Sequence, residues 1–198
     1  MTAVTRSASL PKGSQAARAC LTLGFLLASS QPAAPASAPR DGQHDFDFGE
    51  GAWHTHIVRN VNPFDAKSPV IEIDGTVTST KAWGGRAWLE QIEADGPKGH
   101  WQALNLFLYN PTAHQWSQSF SNSNAGTLGS PFVGEFKDGR AELFAPDTFN
   151  NKAILVRAVW SNITAKAHRY EEFFSEDGGQ TWRLSFTANK TRIPARDP

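Results

Sequence analysis

Residues 132–147 read Phe-Val-Gly-Glu-Phe-Lys-Asp-Gly-Arg-Ala-Glu-Leu-Phe-Ala-Pro-Asp. Asp138-Gly139 separates two short segments in which apolar residues mostly alternate with polar ones. An Asp-Gly pair between such segments is a strong signal for a β-hairpin, because both residues tolerate the positive φ angles of a tight turn. The stretch therefore predicts two antiparallel strands, at 132–137 and 140–147.

The same alternation continues in both directions and covers the chain from Ala52 onward. Turn signals such as Asn110-Pro111 and Glu176-Asp177-Gly178-Gly179 recur between the alternating segments, and no long segment has a helical period. Closure removes the exposed edges that an open sheet would leave, so an antiparallel up-and-down β-barrel of about ten strands is favoured, with a two-sheet sandwich as the alternative. Strands are predicted at 52–59, 70–81, 86–94, 101–109, 115–121, 132–137, 140–147, 152–163, 168–176 and 182–190.

The first 38 residues are typical of a signal peptide rather than of the fold. Residues 1–40 hold four basic and no acidic side chains, an apolar run at 19–28 and then small residues and prolines. This order is that of a secretory leader, and the apolar run is too short to span a bilayer. We therefore expect an Ala/Pro-rich leader at 1–38, a barrel domain at 44–192, and a periplasmic or secreted protein.

Composition excludes several classes of protein. The 198 residues carry 19 basic and 19 acidic side chains, and from Asp41 onward acidic residues outnumber basic ones by four. Such a chain has no basic excess for nucleic acid. Hydrophobic residues make up 39% of it, too many for a disordered chain. The single cysteine, Cys20, allows no internal disulfide.

The segment His44–Trp53, His-Asp-Phe-Asp-Phe-Gly-Glu-Gly-Ala-Trp, resembles the opening of a family of small bacterial proteins with lipocalin-like (calycin-like) barrels. The positions that match the family opening are Phe46, Asp47, Phe48, Gly51, Trp53 and Arg59. Further matching segments follow in the family order at 108–116, 147–149, 159–164 and 174–182. The resemblance covers about residues 44–190 and implies the fold rather than an activity.

The resemblance also implies a role for Trp53. In lipocalin-like barrels the tryptophan of this Gly-x-Trp motif plugs one end of the barrel, often under a basic side chain from the last strand. Arg183 or Arg192 would supply that cation over the indole face.

Residues 175–182 match the Asp-box pattern of sialidase propellers, Ser-x-Asp-x-Gly-x-Thr-Trp. A propeller would repeat the pattern in several blades, and this chain has one copy. We therefore interpret it as a structural hairpin in which Ser175 and Asp177 fix a tight turn above Trp182.

The histidines are candidates for metal binding and for catalysis. His54 and His56 share one strand face, which suits a metal, but they would need a third ligand such as His44 or Asp45. If Trp53 points inward, both lie on the solvated face instead, and the sequence predicts no metal site and no cofactor. Three further histidines lie near predicted strand ends and could act as a general base by type, namely His100, His114 and His168.

Polar residues within apolar strand faces form the predicted ligand site. Glu90 lies between Trp88 and Ile92, and Glu172 lies between Tyr170 and Phe174. If these faces point into the barrel, they place polar groups in an aromatic cup, which is typical of a small-molecule site. The predicted ligand-binding residues are Trp88, Glu90, Asn105, Phe107, Tyr109, Arg157 and Glu172.

Two functions follow from these observations. The first is binding of a small hydrophobic or aromatic molecule by a monomer or homodimer. The alternative is a small β-barrel lyase, isomerase or hydrolase that uses an interior Glu or His as acid or base. A raised pKa and a hydrogen-bond partner at such a residue would favour the enzyme. Nucleic-acid partners and a membrane span are not expected.

Overall fold

The computed structural model of the protein describes residues 41–97 and 99–194, so the leader predicted at 1–38 lies outside the described residues. Each of the ten predicted strands is confirmed, with ends that differ from the prediction by two residues or fewer. The strands are β1 (Gly51–Asn60), β2 (Val70–Ala82), β3 (Ala87–Gly96), β4 (Gly99–Asn110), β5 (Gln115–Asn122), β6 (Phe132–Lys137), β7 (Arg140–Phe149), β8 (Lys152–Ser161), β9 (Ala167–Ser175) and β10 (Arg183–Arg192).

The strands form a closed, all-β antiparallel up-and-down barrel, which rules out the sandwich. Each strand pairs with its neighbours in sequence, and β1 pairs with β10 from Trp53↔Arg192 to Arg59↔Phe186. Alternate side chains of each strand therefore face one interior. Within the described part of the chain, no helix is long and apolar enough to cross a membrane.

The hairpin between β6 and β7 has the turn that its sequence predicts. Lys137 pairs with Arg140, and both residues between them have positive φ, 52° at Asp138 and 75° at Gly139. This is the backbone of a type I′ turn, whose twist matches that of the flanking strands.

Two glycines allow the backbones of neighbouring strands to approach closely. A Cβ on Gly75 of β2 would overlap the carbonyl oxygen of Glu93, and one on Gly134 of β6 would overlap that of Glu142. Glycine within a strand marks such close approaches of backbone to backbone.

The segment before β1 closes one end of the barrel. A 3₁₀ turn at Asp47–Gly49 follows Phe46, whose ring centre lies within 5.0 Å of those of Phe107, Trp116 and Phe136. We call residues 41–50 the plug, and the end that they cover the closed end. Burial of the Phe46 ring among three aromatic rings holds the plug in the barrel mouth.

Trp53 completes this closure, as the resemblance implies. Its side chain is fully buried, and its indole N–H donates to the Gly49 carbonyl at 2.8 Å. Of the two candidate cations, Arg192 lies over the ring, whereas Arg183 is exposed at the other end of β10.

The Asp-box segment is a structural hairpin between β9 and β10, as interpreted from the sequence. Asp177 accepts hydrogen bonds from the Ser175 hydroxyl at 2.7 Å and from the Thr181 amide at 2.8 Å. The Thr181 hydroxyl also donates to Asp177, at 2.6 Å, and this bond, followed by those from the Thr181 amide and the Ser175 hydroxyl, holds the pKa of Asp177 well below its usual range.

Candidate ligand site

The two halves of the barrel interior differ in accessibility. Near the plug, inward-facing aromatic residues such as Trp88, Trp116 and Trp160 are buried. Toward the opposite end, several large inward-facing hydrophobic residues pack against that core but stay partly exposed. We call this part the open half and define it by Ile73, Trp101, Phe132 and Phe186.

Part of the mouth of the open half is covered by three phenylalanines. Phe64, in the loop between β1 and β2, lies 6.1 Å from Phe149, which lies 5.5 Å from Phe174, measured between ring centres. The loop between β5 and β6 lies at the same end, and its residues 123–131 are exposed. It is an exposed connection, tied back to β5 by the Gly129 amide that donates to the Phe120 carbonyl at 2.8 Å.

A polar layer crosses the interior between the closed end and the open half. Lys190 donates to one carboxylate oxygen of Glu90, and the Asn105 amide donates to the other at 3.0 Å. Gln118 donates to Asn105 at 3.2 Å and accepts from the Trp160 indole at 3.4 Å. The Lys190 ammonium also lies 4.6 Å from the Trp160 ring centre. Buried charges are tolerated when they are paired and hydrogen-bonded in this way.

Tyr170 and Glu172 of β9 lie on the open side of this layer. The Tyr170 hydroxyl donates to the Glu172 carboxylate at 2.6 Å. Burial raises the pKa of Glu172, and the Tyr170 hydrogen bond and the Arg59 charge oppose that shift. Burial also raises the pKa of Tyr170, and the Glu172 charge adds to it. The pair combines a strong hydrogen bond with a carboxyl group that holds its proton more tightly than usual.

His168 lies between the polar layer and Trp53. Its ring centre is 4.4 Å from that of Trp53 and 5.0 Å from that of Phe48, and neither ring nitrogen has a hydrogen-bond partner among the described residues. Burial, followed by the charges of Lys190 and Arg192, lowers the pKa of His168 to about 2. The imidazole is therefore neutral at physiological pH.

Two cavities lie near the plug, a small one inside the barrel and a larger one outside it. A cavity of about 10 Å³ lies between Phe46 of the plug and Glu90, close to the size that one water molecule needs. A recess of about 660 Å³ lies on the outside of the closed end, where Phe48, Lys137 and Ile163 line it. It contains none of the predicted site residues.

Six of the seven predicted site residues face the interior, at different depths. Trp88, Phe107 and Tyr109 are buried at the closed end, where the Tyr109 hydroxyl accepts from the Gly42 amide of the plug at 3.0 Å. Glu90 and Asn105 belong to the polar layer, and Glu172 lies at its open side.

The interior placement of Arg157 is wrong. Its guanidinium lies on the outer face, 4.8 Å from the Phe173 ring centre and 4.6 Å from that of Trp182. The inner face of β8 carries Val156, Ala158 and Trp160 instead. Stacking between two outer aromatic rings holds the cation away from the interior.

Three residues of the site region were not predicted, namely Gln118, Tyr170 and Lys190, and His168 was predicted only as a general base by type. Gln118 could have been predicted from the sequence, because it lies between Trp116 and Phe120 on one strand face. This is the pattern that identified Glu90 and Asn105. No sequence pattern indicates an interior position for Lys190, because it lies near a strand end among polar residues.

The other histidines lie at the surface or beside the plug. His54 and His56 face outward, and His56 lies 2.8 Å from Asp74 rather than beside His44. His100 lies 3.0 Å from Asp95, and His114 lies 3.2 Å from the Tyr109 hydroxyl. The described residues bring together no set of three or more His, Cys, Asp or Glu side chains that could hold a metal ion.

No protein-family model matches the sequence, and no curated protein matches it either. Among solved structures, the chain is similar to an S-type phycobiliprotein lyase, CPES, from Guillardia theta, with a TM-score of 0.54 and 9% identity over 79% of this chain and 95% of that one. A de novo designed fluorescence-activating β-barrel gives a TM-score of 0.39 and 8% identity over 78% of this chain and all of the design. The similarity to the lyase supports the lipocalin-like barrel fold of this chain.

Proposed function

We propose that the protein binds one small hydrophobic or aromatic molecule in the open half of the barrel. The observation that carries this proposal is the difference between the two halves of one interior. The closed half is filled by its own side chains, whereas Trp101, Phe132 and Phe186 face inward and stay partly exposed. Small-molecule sites are usually lined by apolar side chains together with a few polar groups. The open half has this composition, because its apolar surface lies next to the hydrogen-bonded polar layer. A barrel fold like that of a phycobiliprotein lyase is consistent with such a partner.

Titration calorimetry with naphthylmethanol, a neutral aromatic alcohol, tests the site. Trp101→Ala and Phe132→Ala should each weaken binding by about 1 to 3 kcal/mol, since each removes an aromatic contact surface. Ile163→Ala, in the recess outside the closed end, is the matched control and should bind as the wild type does. Weaker binding in the control, with unchanged binding in the two aromatic variants, would move the site to that recess.

Acid–base catalysis is the second candidate function, and the Tyr170–Glu172 pair favours it. A partly buried carboxyl group with a raised pKa and a hydroxyl at 2.6 Å is a suitable general acid or base. A substrate bound in the open half would be converted by the wild type and not by Glu172→Gln. Product analysis after incubation with a metabolite extract is the test, and identical extracts from both proteins would remove this candidate.

We further infer a place in the cell and a family from the sequence. The leader-like residues 1–38 support a periplasmic or secreted protein, and the His44–Trp53 segment supports membership of the small bacterial lipocalin-like proteins that it resembles. N-terminal sequencing of the protein purified from its own host tests the first inference. A chain that still begins at Met1 there would contradict cleavage.

A further inference from the structure

The two inward-facing glutamates of the barrel have different partners. Glu90 receives a salt bridge from Lys190 and a hydrogen bond from Asn105, so both of its oxygens are satisfied. Glu172 receives a hydrogen bond from Tyr170, and the described residues place no Lys, Arg or His nitrogen within 4.0 Å of its carboxylate. Glu172 is therefore an interior carboxyl group without a salt bridge among the described residues, and Arg59 acts on it only at longer range.

Aromatic rings surround Glu172 on the open side. Phe186 of β10 is its cross-strand neighbour, and the Phe186 ring centre lies 6.0 Å from that of Tyr170. Phe174 follows two residues later on the same strand face. A cation at such a place is attracted both by the charge of the carboxylate and by the quadrupoles of the aromatic rings beside it.

The charged groups near Glu172 leave this region acidic. Arg59 of β1 lowers the pKa of Glu172, and Asp147, on the inward register of β7, opposes it with a smaller effect. The cross-strand neighbours on β8 and β10 are Ala158 and Phe186, which carry no charge. Two carboxyl groups thus face one guanidinium at this side of the interior, a balance that favours a cationic guest over an anionic one.

We propose that the ligand of the open half carries a protonated amine, which pairs with the Glu172 carboxylate while its apolar body lies against the aromatic wall. This inference rests on the proposed function, and it narrows the ligand class from small aromatic molecules to small aromatic amines. A neutral ligand would leave the carboxylate without a direct ion-pair partner. An anionic ligand would add a third negative charge beside Glu172 and Asp147.

Matched probes separate the two proposals. Naphthylmethylamine is a cation at neutral pH, naphthylmethanol is its neutral counterpart and naphthoate is an anion of similar size. Each is titrated by calorimetry into the full chain at pH 8, and into Glu172→Gln and Glu171→Gln. Glu171 is the control because it is the neighbouring residue in sequence and pairs with Arg169 at 2.8 Å.

The amine should bind at least about tenfold more tightly than the alcohol, because a charge-assisted hydrogen bond is stronger than a neutral one. Glu172→Gln should abolish that preference by weakening binding of the amine at least about tenfold more than binding of the alcohol, and Glu171→Gln should preserve it. The amine affinity of the wild type should also rise with pH as Glu172 loses its proton, and this trend should be absent from Glu172→Gln.

The remaining outcomes distinguish failure of the amine inference from failure of the proposed function. Equal binding of amine and alcohol, or an amine preference that persists in Glu172→Gln, would overturn the amine inference and leave the proposed function standing. Failure of all three probes to bind wild-type protein whose fold is verified by circular dichroism would count against both.

Discussion

The Arg192 guanidinium lies 4.0 Å from the centre of the Trp53 ring, so the end of the last strand covers the start of the first. The same guanidinium donates to the carbonyl oxygens of Phe48 at 2.9 Å and Glu50 at 2.7 Å. One side chain therefore fastens the barrel seam and the plug together. A planar, multi-donor cation suits this task better than an ammonium group.

Arg192→Ala should lower the free energy of unfolding by about 2 kcal/mol, because it removes a cation–π contact and several hydrogen bonds to carbonyls. Arg192→Lys should recover less than half of that loss. Urea denaturation followed by tryptophan fluorescence measures both. Arg183→Ala, at the exposed start of the same strand, should change the free energy by less than about 0.5 kcal/mol. Equal losses at the two arginines would show that Arg192 has no special role.

The Lys190–Glu90 pair predicts strong energetic coupling. Lys190→Met should cost about 3 to 5 kcal/mol, because it leaves a buried carboxylate without its partner. The double variant Glu90→Met with Lys190→Met should lose much less than the sum of the two single losses. Lys152→Met breaks an exposed ion pair with Glu176 at 3.3 Å and should cost less than about 1 kcal/mol. Additive single losses would show that the buried pair does not couple.

The fold could be predicted from the sequence because its signals are local. The turn at Asp138-Gly139 and the alternation in each strand act over a few residues, and all ten strands were found from them. Barrel closure followed from a general argument about sheet edges rather than from any residue.

The site could be predicted only in part, because its groups are brought together over long distances. Lys190 reaches Glu90 from 100 residues away, a pairing that no local pattern contains. Arg157 was misplaced because β8 is apolar on both faces: Leu155 and Val159 point outward while Val156 points inward. Alternation identifies an inner face only where the outer face is polar.

His168 predicts a loss of stability in mild acid. Its pKa is about 2 in the folded protein and has its ordinary value near 6.5 in the unfolded chain. The unfolded state therefore binds a proton first as the pH falls below that ordinary value. The cost is about 2 kcal/mol at pH 5 and is absent above pH 7. His168→Phe, which suits the surrounding aromatic rings, should remove this part of the pH dependence.

Urea denaturation at pH 7 and pH 5 measures the effect as a difference between variant and wild type. His54→Gln, on the outer face, is the control and should retain the wild-type pH dependence. An acid-induced loss in His168→Phe as large as that of the wild type would contradict a buried neutral imidazole.

Glu172 predicts the opposite trend, because its pKa is raised by burial rather than lowered. The folded protein resists ionisation of this carboxyl group, so the wild type loses stability as the pH rises through the ordinary pKa and up to the folded one. Each tenfold difference between the two acid constants corresponds to about 1.4 kcal/mol. Glu172→Gln accepts the Tyr170 hydrogen bond without ionising, and it should therefore become more stable relative to the wild type between pH 4 and pH 8. Glu171→Gln should stay parallel to the wild type over that range. If Glu172→Gln also stays parallel, Glu172 ionises in the folded barrel as easily as in the unfolded chain, which would contradict a pKa raised by burial.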